Sequence, residues 1–175
     1  MKARTAKQKK FEEQLDAFVD RVEAEVWFAK IIAARFVAKK LVEFSPVWSG
    51  PFVKSHRLGI DWKDPTYQIF KTVDDTAVML AMKVSSTKAK AIKNAVLAKL
   101  QNEAFEIGIK DNKVILSNCI PYGPAVEYLY GPRNGYHVYG KTRAALRANR
   151  KAIMAKARAN VEKVKSGKYT ARQAD

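Results

Sequence analysis

Apolar residues recur at three- and four-residue steps from Phe11 to Phe44: Phe11, Leu15, Phe18, Val22, Val26, Ala29, Ala33, Phe36 or Val37, Leu41 and Phe44. That period predicts one amphipathic helix over residues 11–44, with no glycine or proline to interrupt it. Acids fill its first half (Glu12, Glu13, Asp16, Asp20, Glu23, Glu25) and bases dominate its second (Lys30, Arg35, Lys39, Lys40), which suits the helix dipole. As one piece it would be about 50 Å long at 1.5 Å per residue. That exceeds the width of a compact domain of this size, so part of it is expected to project towards a partner, or to bend. Pro46 stops it, because the residue before a proline is pushed out of the α region.

The pattern then changes. Ser49-Gly50-Pro51 reads as a tight turn, after which Phe52 and Val53 resume an extended segment that continues towards Ile60 and Trp62. Two hairpins are expected next. Tyr67–Val73 and Thr76–Met82 flank Asp74-Asp75, the second run being readable as helix too. In the other, Phe105, Ile107 and Ile109 alternate with polar residues before an Asp111-Asn112 turn and a return over residues 113–118. Between them, residues 86–100 predict a helix capped by Ser85 or Ser86, with Ile92, Val96 and Leu100 on one face. Thr142 is the expected cap of a last helix, thinly apolar and strongly basic, running to about Ser166 and ended by Gly167. The fold class implied is α+β: a long N-terminal amphipathic helix, a small antiparallel sheet built from hairpins, a middle helix and a basic C-terminal helix.

One stretch stands apart. Asn118 to Gly131 reads N-C-I-P-Y-G-P-A-V-E-Y-L-Y-G, with two prolines, two glycines and three tyrosines. Pro121 and Pro124 each lack a backbone donor, so the segment is neither a central strand nor the interior of a straight helix. It reads as a rigid strand exit that holds aromatic side chains outward or into a neighbour. Glu127 is the one acid between Asp111 and Glu162, suited to an interface or a capping role.

With 175 residues, 47% of them hydrophobic, the chain is expected to form one domain over residues 11–166 between short tails at 1–10 and 167–175. No apolar run approaches the ~20 residues needed to span a bilayer, and the basic N-terminus lacks a secretory pattern. The net charge is +16 and it is unevenly placed. Residues 1–10 and 81–100 each carry five bases and no acid, and residues 141–175 carry eleven bases against two acids. Such blocks mark solvated faces or surfaces that meet a polyanion. The residues expected to face it are Lys88, Lys90 and Lys93 on the middle helix and Arg143, Arg147, Arg150, Lys151 and Arg158 on the last.

Candidate chemistry is sparse. Two histidines, His56 and His137, and the single Cys119 do not make a closed zinc site in the usual spacings, and phosphate-loop, dinucleotide, metalloprotease and serine-hydrolase motifs are absent from the sequence. Cys119 would act as a nucleophile only with a histidine folded beside it, and a buried structural thiol is the simpler reading. The expectation is a protein that is not an enzyme and takes no cofactor or metal.

Two segments in order carry a resemblance. Pro46-Val47-x-Ser49-Gly50-x-Phe52-x-x-Ser55 resembles the P-V-x-[ST]-G-x-[LF]-x-x-S signature of the minor tail component family of long-tailed bacteriophages, which includes tail-completion and head–tail joining proteins of lambda-like viruses. Asn118-x-x-Pro121-Tyr122-Gly123-x-x-Val126-Glu127-Tyr128 is similar to that family's N-x-x-P-Y-A-x-x-[VL]-E-[YF]-G element. Trp48, Pro51 and Gly123 depart from it, standing where an aspartate, a basic residue and an alanine are usual. The resemblance spans roughly residues 11–165. It implies a structural virion protein, made in the cytoplasm of a bacterial host, that assembles as a homo-oligomeric ring, expected to be hexameric, in a phage tail or neck. Its partners would be tail-tube or tail-terminator and head-closure or neck proteins, with non-specific contact to DNA passing through the channel and no membrane. The expected subunit or partner contacts are Trp48, Gly50, Phe52 and Ser55 in the first segment, Asn118, Tyr122, Glu127, Tyr128 and Tyr130 in the second, and Tyr136 and Tyr139 in the loop that follows. A second reading of the same charge pattern is a free-standing basic protein that binds nucleic acid without sequence preference, its aromatics stacking on single strands.

Overall fold

The computed structural model describes residues 6–47, 51–66, 85–121, 123–129 and 135–165. Helix α1 (Ala6–Phe44) is followed by a one-turn helix α2 (Pro51–Lys54), strand β1 (His56–Ile60), helix α3 (Ser86–Glu103) and a 3-10 turn (Ala104–Glu106). Strand β2 (Val114–Asn118), the short helix α4 (Gly123–Tyr128) and helix α5 (Val138–Lys165) complete the order. The architecture is α+β, with the helices gathered around a two-stranded antiparallel sheet.

The second half of α1 is the spine of the core. Ala38 and Val42 pack with Val53, Val96 and Leu100, which brings α2 and α3 onto one side. Leu41 packs with Phe52, Ile120, Val126 and Val138, gathering α2, the exit of β2, α4 and the start of α5. Ile31 and Ala34 take Ala104 and Ile107. Farther towards the N-terminus, Phe28 packs with Ala157 and Val161. Leu41 thus meets the start of α5 and Phe28 its end, so the two helices run antiparallel. Arg158 to Glu25 and Arg21 to Glu162 are exposed ion pairs near that end. Beyond Arg21 the helix passes the last described turn of α5, and residues 7–23 are exposed apart from the half-buried Glu12. The projection expected from the length of the apolar pattern is present.

β1 and β2 pair antiparallel with His56 opposite Asn118 and Ile60 opposite Val114. The strand pairing is not the hairpin expected from Phe105, Ile107 and Ile109. Those residues leave α3 through the 3-10 turn, and their carbonyls are claimed by α1: Trp27 Nε1 donates to Ile107 O (2.6 Å), and Lys30 Nζ donates to Ile109 O (3.1 Å) and Asp111 O (2.6 Å). Residues 113–118 therefore pair with the earlier strand. Asp61, at positive φ, closes that end of the sheet by accepting from Asn112 N and Lys113 N, both at 2.8 Å. The expected hairpin over residues 67–82 lies outside the described residues.

Three local expectations change for identifiable reasons. Pro51 opens a helical turn in place of the extended segment, since its fixed φ suits the first position of a helix and its missing donor costs nothing there. α1 begins at Ala6, so the segment expected as a basic tail is helical from that point and the first turn carries Lys7 and Lys9 where acids were expected. α5 begins at Val138, four residues before Thr142, which sits buried inside the helix and donates to Val138 O at 2.7 Å. α3 starts where expected, with the Ser85 hydroxyl accepting from Lys88 N.

Candidate functional site

The Pro/Tyr stretch folds as a corner between β2 and α5. Asn118, the last residue of β2, uses both ends of its amide. Its Nδ2 donates to Phe52 O at 2.8 Å and its Oδ1 accepts from Ile120 N at 3.2 Å. α4 follows, with Pro124 in its first turn, where no helical donor is lost. Its last carbonyls are capped by the incoming chain: Tyr136 N donates to Val126 O and His137 N to Glu127 O. This return requires Gly135, whose φ of 122° is closed to ordinary side chains and whose added Cβ would collide with Glu127 O.

Glu127 is 7% exposed and serves α5 directly. Both its carboxylate oxygens accept from Tyr139 N at 3.1 Å, and Oε1 also accepts from Gly140 N at 3.1 Å. A negative group at the first turn satisfies donors that have no partner within the helix and meets the positive end of the dipole. The capping role therefore describes Glu127, and its carboxylate faces its own chain, not a neighbour.

Behind the corner lies a closed polar network. Ser45 Oγ donates to Leu41 O at 2.6 Å, so its contact with His56 Nε2 at 2.7 Å has the imidazole as donor. The other ring nitrogen, Nδ1, then accepts from Tyr139 Oη at 3.4 Å. The rings of Phe52 and Tyr139 stand edge-on to the same imidazole, with centroids 5.4 and 6.1 Å away. Burial, with Arg57 adding to it, lowers the His56 pKa to about 3, so the ring is neutral. Burial first, then the charges of Glu127 and Cys119, raise the Tyr139 phenol above its ordinary 10.0. Ser45 and His56 resemble a nucleophile and base in pairing alone. The serine proton points at a carbonyl and both groups are buried, so the network locks α1, β1 and α5 together. The sequence signalled it only by a histidine immediately after the first motif. Cys119 does not join it by a hydrogen bond; its thiol lies 3.6 Å from Asp64 O.

The expected contact residues thus separate. Phe52 and Ser55 are buried, Asn118, Tyr136 and Tyr139 are half-buried parts of the corner, and Tyr128 is 62% exposed. Its neighbour Leu129, which the sequence reading passed over, is 72% exposed. Trp48, Gly50, Tyr122 and Tyr130 lie outside the described residues. Of the expected polyanion-facing groups, Lys88, Lys90, Arg143, Arg147, Arg150, Lys151 and Arg158 are exposed. Arg143, Arg147 and Lys151 follow at four-residue steps and so line one face of α5, with Arg150 beside them. Arg158 is shared with Glu25. Lys93 is different: its half-buried ammonium donates to Glu43 O at 2.8 Å, and burial lowers its pKa while Glu43 opposes that shift.

Among the described residues no group of three or more His, Cys, Asp or Glu side chains could hold a metal ion, and no helix is long and apolar enough to cross a membrane. A groove of about 390 Å³ runs between α1, β2 and α5, lined by apolar side chains with Lys30, Asn112 and Arg143 on it. No protein-family model, curated protein or solved structure matches the chain.

Proposed function

We propose that this chain is a structural subunit of a phage tail or neck, assembling into a ring, expected to be hexameric, that completes the tail or joins it to the head and lets DNA pass. The two ordered motifs resemble those of the minor tail component family. The observation that carries the reading is apolar surface that the described fold leaves uncovered. Tyr128 and Leu129 stand out together from a corner held rigid by Gly135, Asn118 and Glu127, and Phe11, Leu15 and Phe18 are exposed on the projecting part of α1. Exposed aromatic and aliphatic side chains on a rigid support are what a partner interface uses. The role is structural, without catalysis or cofactor, and its site would be the virion. Neighbours would be tail-tube or tail-terminator and head-closure or neck proteins.

The cationic face of α5 favours a second reading, a free-standing protein that binds nucleic acid through phosphates. One experiment separates the two. Light scattering is recorded at low and moderate salt, alone, with DNA, and with tail-tube protein. Ring-sized particles, formed alone or on adding tail-tube protein, support the virion subunit. A chain that stays monomeric or dimeric with tail-tube protein, yet binds DNA tightly with a steep salt dependence, supports the second reading.

A further inference from the structure

The two outer edges of the sheet differ. Asp61 N donates to Lys113 O at 2.9 Å, directly across the register. Bonded pairs therefore fall at every second position, Gly59 with Ile115 and Arg57 with Ser117. Val114 and Leu116, opposite Ile60 and Leu58, turn their peptide N–H and C=O groups away from β1. That outer edge of β2 faces the groove, whose floor is α1 and whose far wall is α5. Among the described residues these peptide groups meet no hydrogen-bond partner. The outer edge of β1 is blunted instead, because Arg57 Nη1 donates to His56 O at 3.0 Å and sets a charge there. β2, reading Val-Ile-Leu-Ser-Asn, has neither charge nor proline to keep a further strand away.

The space beside that edge suits one more strand. Val114 packs towards the Ile31 and Ala34 cluster and Leu116 towards that of Leu41, so both side chains point at α1. In a strand added antiparallel, the pairing that is more stable per residue, the residues opposite these two point the same way. They would lie over Ala33, Ala34 and Val37, where the two alanines leave room. The groove's 390 Å³ is within the range of ligand-binding pockets. The residue between them points outwards. Arg143 stands exposed on the α5 wall, with no acid paired to it among the described residues. In a chain of net charge +16 its complement is an acid.

We propose that the outer edge of β2 is a docking site for an extended acidic segment of another protein. The segment adds antiparallel as a third strand, with apolar residues opposite Val114 and Leu116 and a carboxylate between them on Arg143. Backbone bonds hold it, the alanine floor selects the apolar pair, and Arg143 selects the acid. These residues are distinct from the exposed side chains of the α1 tip and of the corner, so the site does not rest on the ring reading.

The test is hydrogen exchange of the full chain, read residue by residue over 113–118, with a panel of blocked peptides. The probes are acetyl-Ser-Thr-X-Glu-X-Thr-Ser-amide, with valine, leucine or phenylalanine at both X positions. In the free chain, at every concentration, Val114 and Leu116 should exchange fast while Ile115 and Ser117, bonded to β1, exchange slowly. At least one peptide should slow Val114 and Leu116 by about tenfold or more, as two new backbone bonds imply. N-methylation of both X residues should abolish that protection, and N-methylation of the glutamate, whose N–H points away from β2, should not. Replacing the glutamate by lysine should weaken binding, and Arg143→Glu should reverse that preference without altering the fold, since Arg143 is exposed. Ala33→Phe should fill the floor and block every peptide, with circular dichroism confirming that the chain is folded. Slow exchange of Val114 and Leu116 in the dilute free chain would mean that its own residues cover the edge, and slowing only as concentration rises would mean a second copy. Either result would overturn the proposal, as would protection brought by duplex DNA and by no peptide, or by nothing in the panel.

Discussion

Both carboxylate oxygens of Glu127 lie 3.1 Å from the backbone nitrogen of Tyr139, twelve residues further along the chain. The contact starts the basic C-terminal helix from a corner that precedes it, so the orientation of α5 depends on an acid outside α5. Replacing this carboxylate takes the acceptor from the part-buried backbone donors of Tyr139 and Gly140. Glu127→Ala should cost about 1–3 kcal/mol of stability, by analogy with lost caps and buried unsatisfied groups, and Glu127→Gln less, since it keeps one acceptor. Glu127→Lys should prevent folding. Urea midpoints and circular dichroism check the series; a Glu127→Lys protein with native dichroism would show the carboxylate to be dispensable to the fold.

Stability should fall on the acid side through His56. Unfolded, its imidazole takes up a proton below about 6.5; folded, it stays neutral down to about 3. Between those values the unfolded chain binds the extra proton, so acid favours unfolding by up to about 1.4 kcal/mol per pH unit. Tyr139 acts at the other limit: its phenol is raised, so above pH 10 the unfolded chain loses a proton that the folded chain keeps, and stability falls again. Urea titrations from pH 4 to 8 check the first limb. The extra acid sensitivity should be absent in His56→Ala, which starts from a lower stability because Ser45 and Tyr139 lose their partner.

Gly135→Ala tests the corner from the backbone side. A methyl group there meets Glu127 O and a φ of 122° that alanine avoids. The expected loss is about 1–3 kcal/mol, with faster amide hydrogen exchange at Tyr136 and His137, whose donors cap α4.

Much of this arrangement is legible in the chain, and what is not has a common cause. The helix over 11–44 and the helix after Ser85 follow from local period and capping chemistry, which need no knowledge of neighbours. Glu127 was readable as an interface or a capping acid, and only the return of the chain through Gly135 shows whose donors it caps. The hairpin expected at Phe105 failed for the same reason. Three alternating apolar residues suit a strand, yet Trp27 and Lys30, about eighty positions away, take the carbonyls a strand partner would need. The projecting tip lies between these cases: its apolar stripe is visible in the sequence, but its exposure depends on the described part of α5 meeting α1 only from about Arg21 onwards.

Trp27 measures that long-range hold directly. Trp27→Phe keeps an aromatic ring beside Phe28 and removes the indole donor to Ile107 O. With the carbonyl left unpaired the expected cost is about 1–2 kcal/mol. The effect should concentrate in residues 107–111, because Lys30 is then the α1 side chain left donating to their carbonyls. Hydrogen exchange should rise there first, at Asp111 N, which donates to Gly108 O.

The cationic face of α5 gives a prediction that does not depend on which functional reading holds. Arg143, Arg147 and Lys151 are exposed along one face, whereas Arg158 is paired with Glu25 and Lys93 with the end of α1. Each cation that neutralises a duplex phosphate adds about 0.9 to the slope of log affinity against log salt. Arg147→Ala with Lys151→Ala should therefore lower that slope by about 1.8 on duplex DNA without changing the fold, because neither side chain is buried. Lys93→Ala should leave the slope unchanged and reduce stability, since its ammonium is committed to Glu43 O. Filter binding at several salt concentrations, paired with a thermal melt of each variant, reads both quantities. Equal slopes for the double variant and the unaltered chain would remove α5 from the polyanion-facing surface and leave its charge as simple solvation of a thin helix.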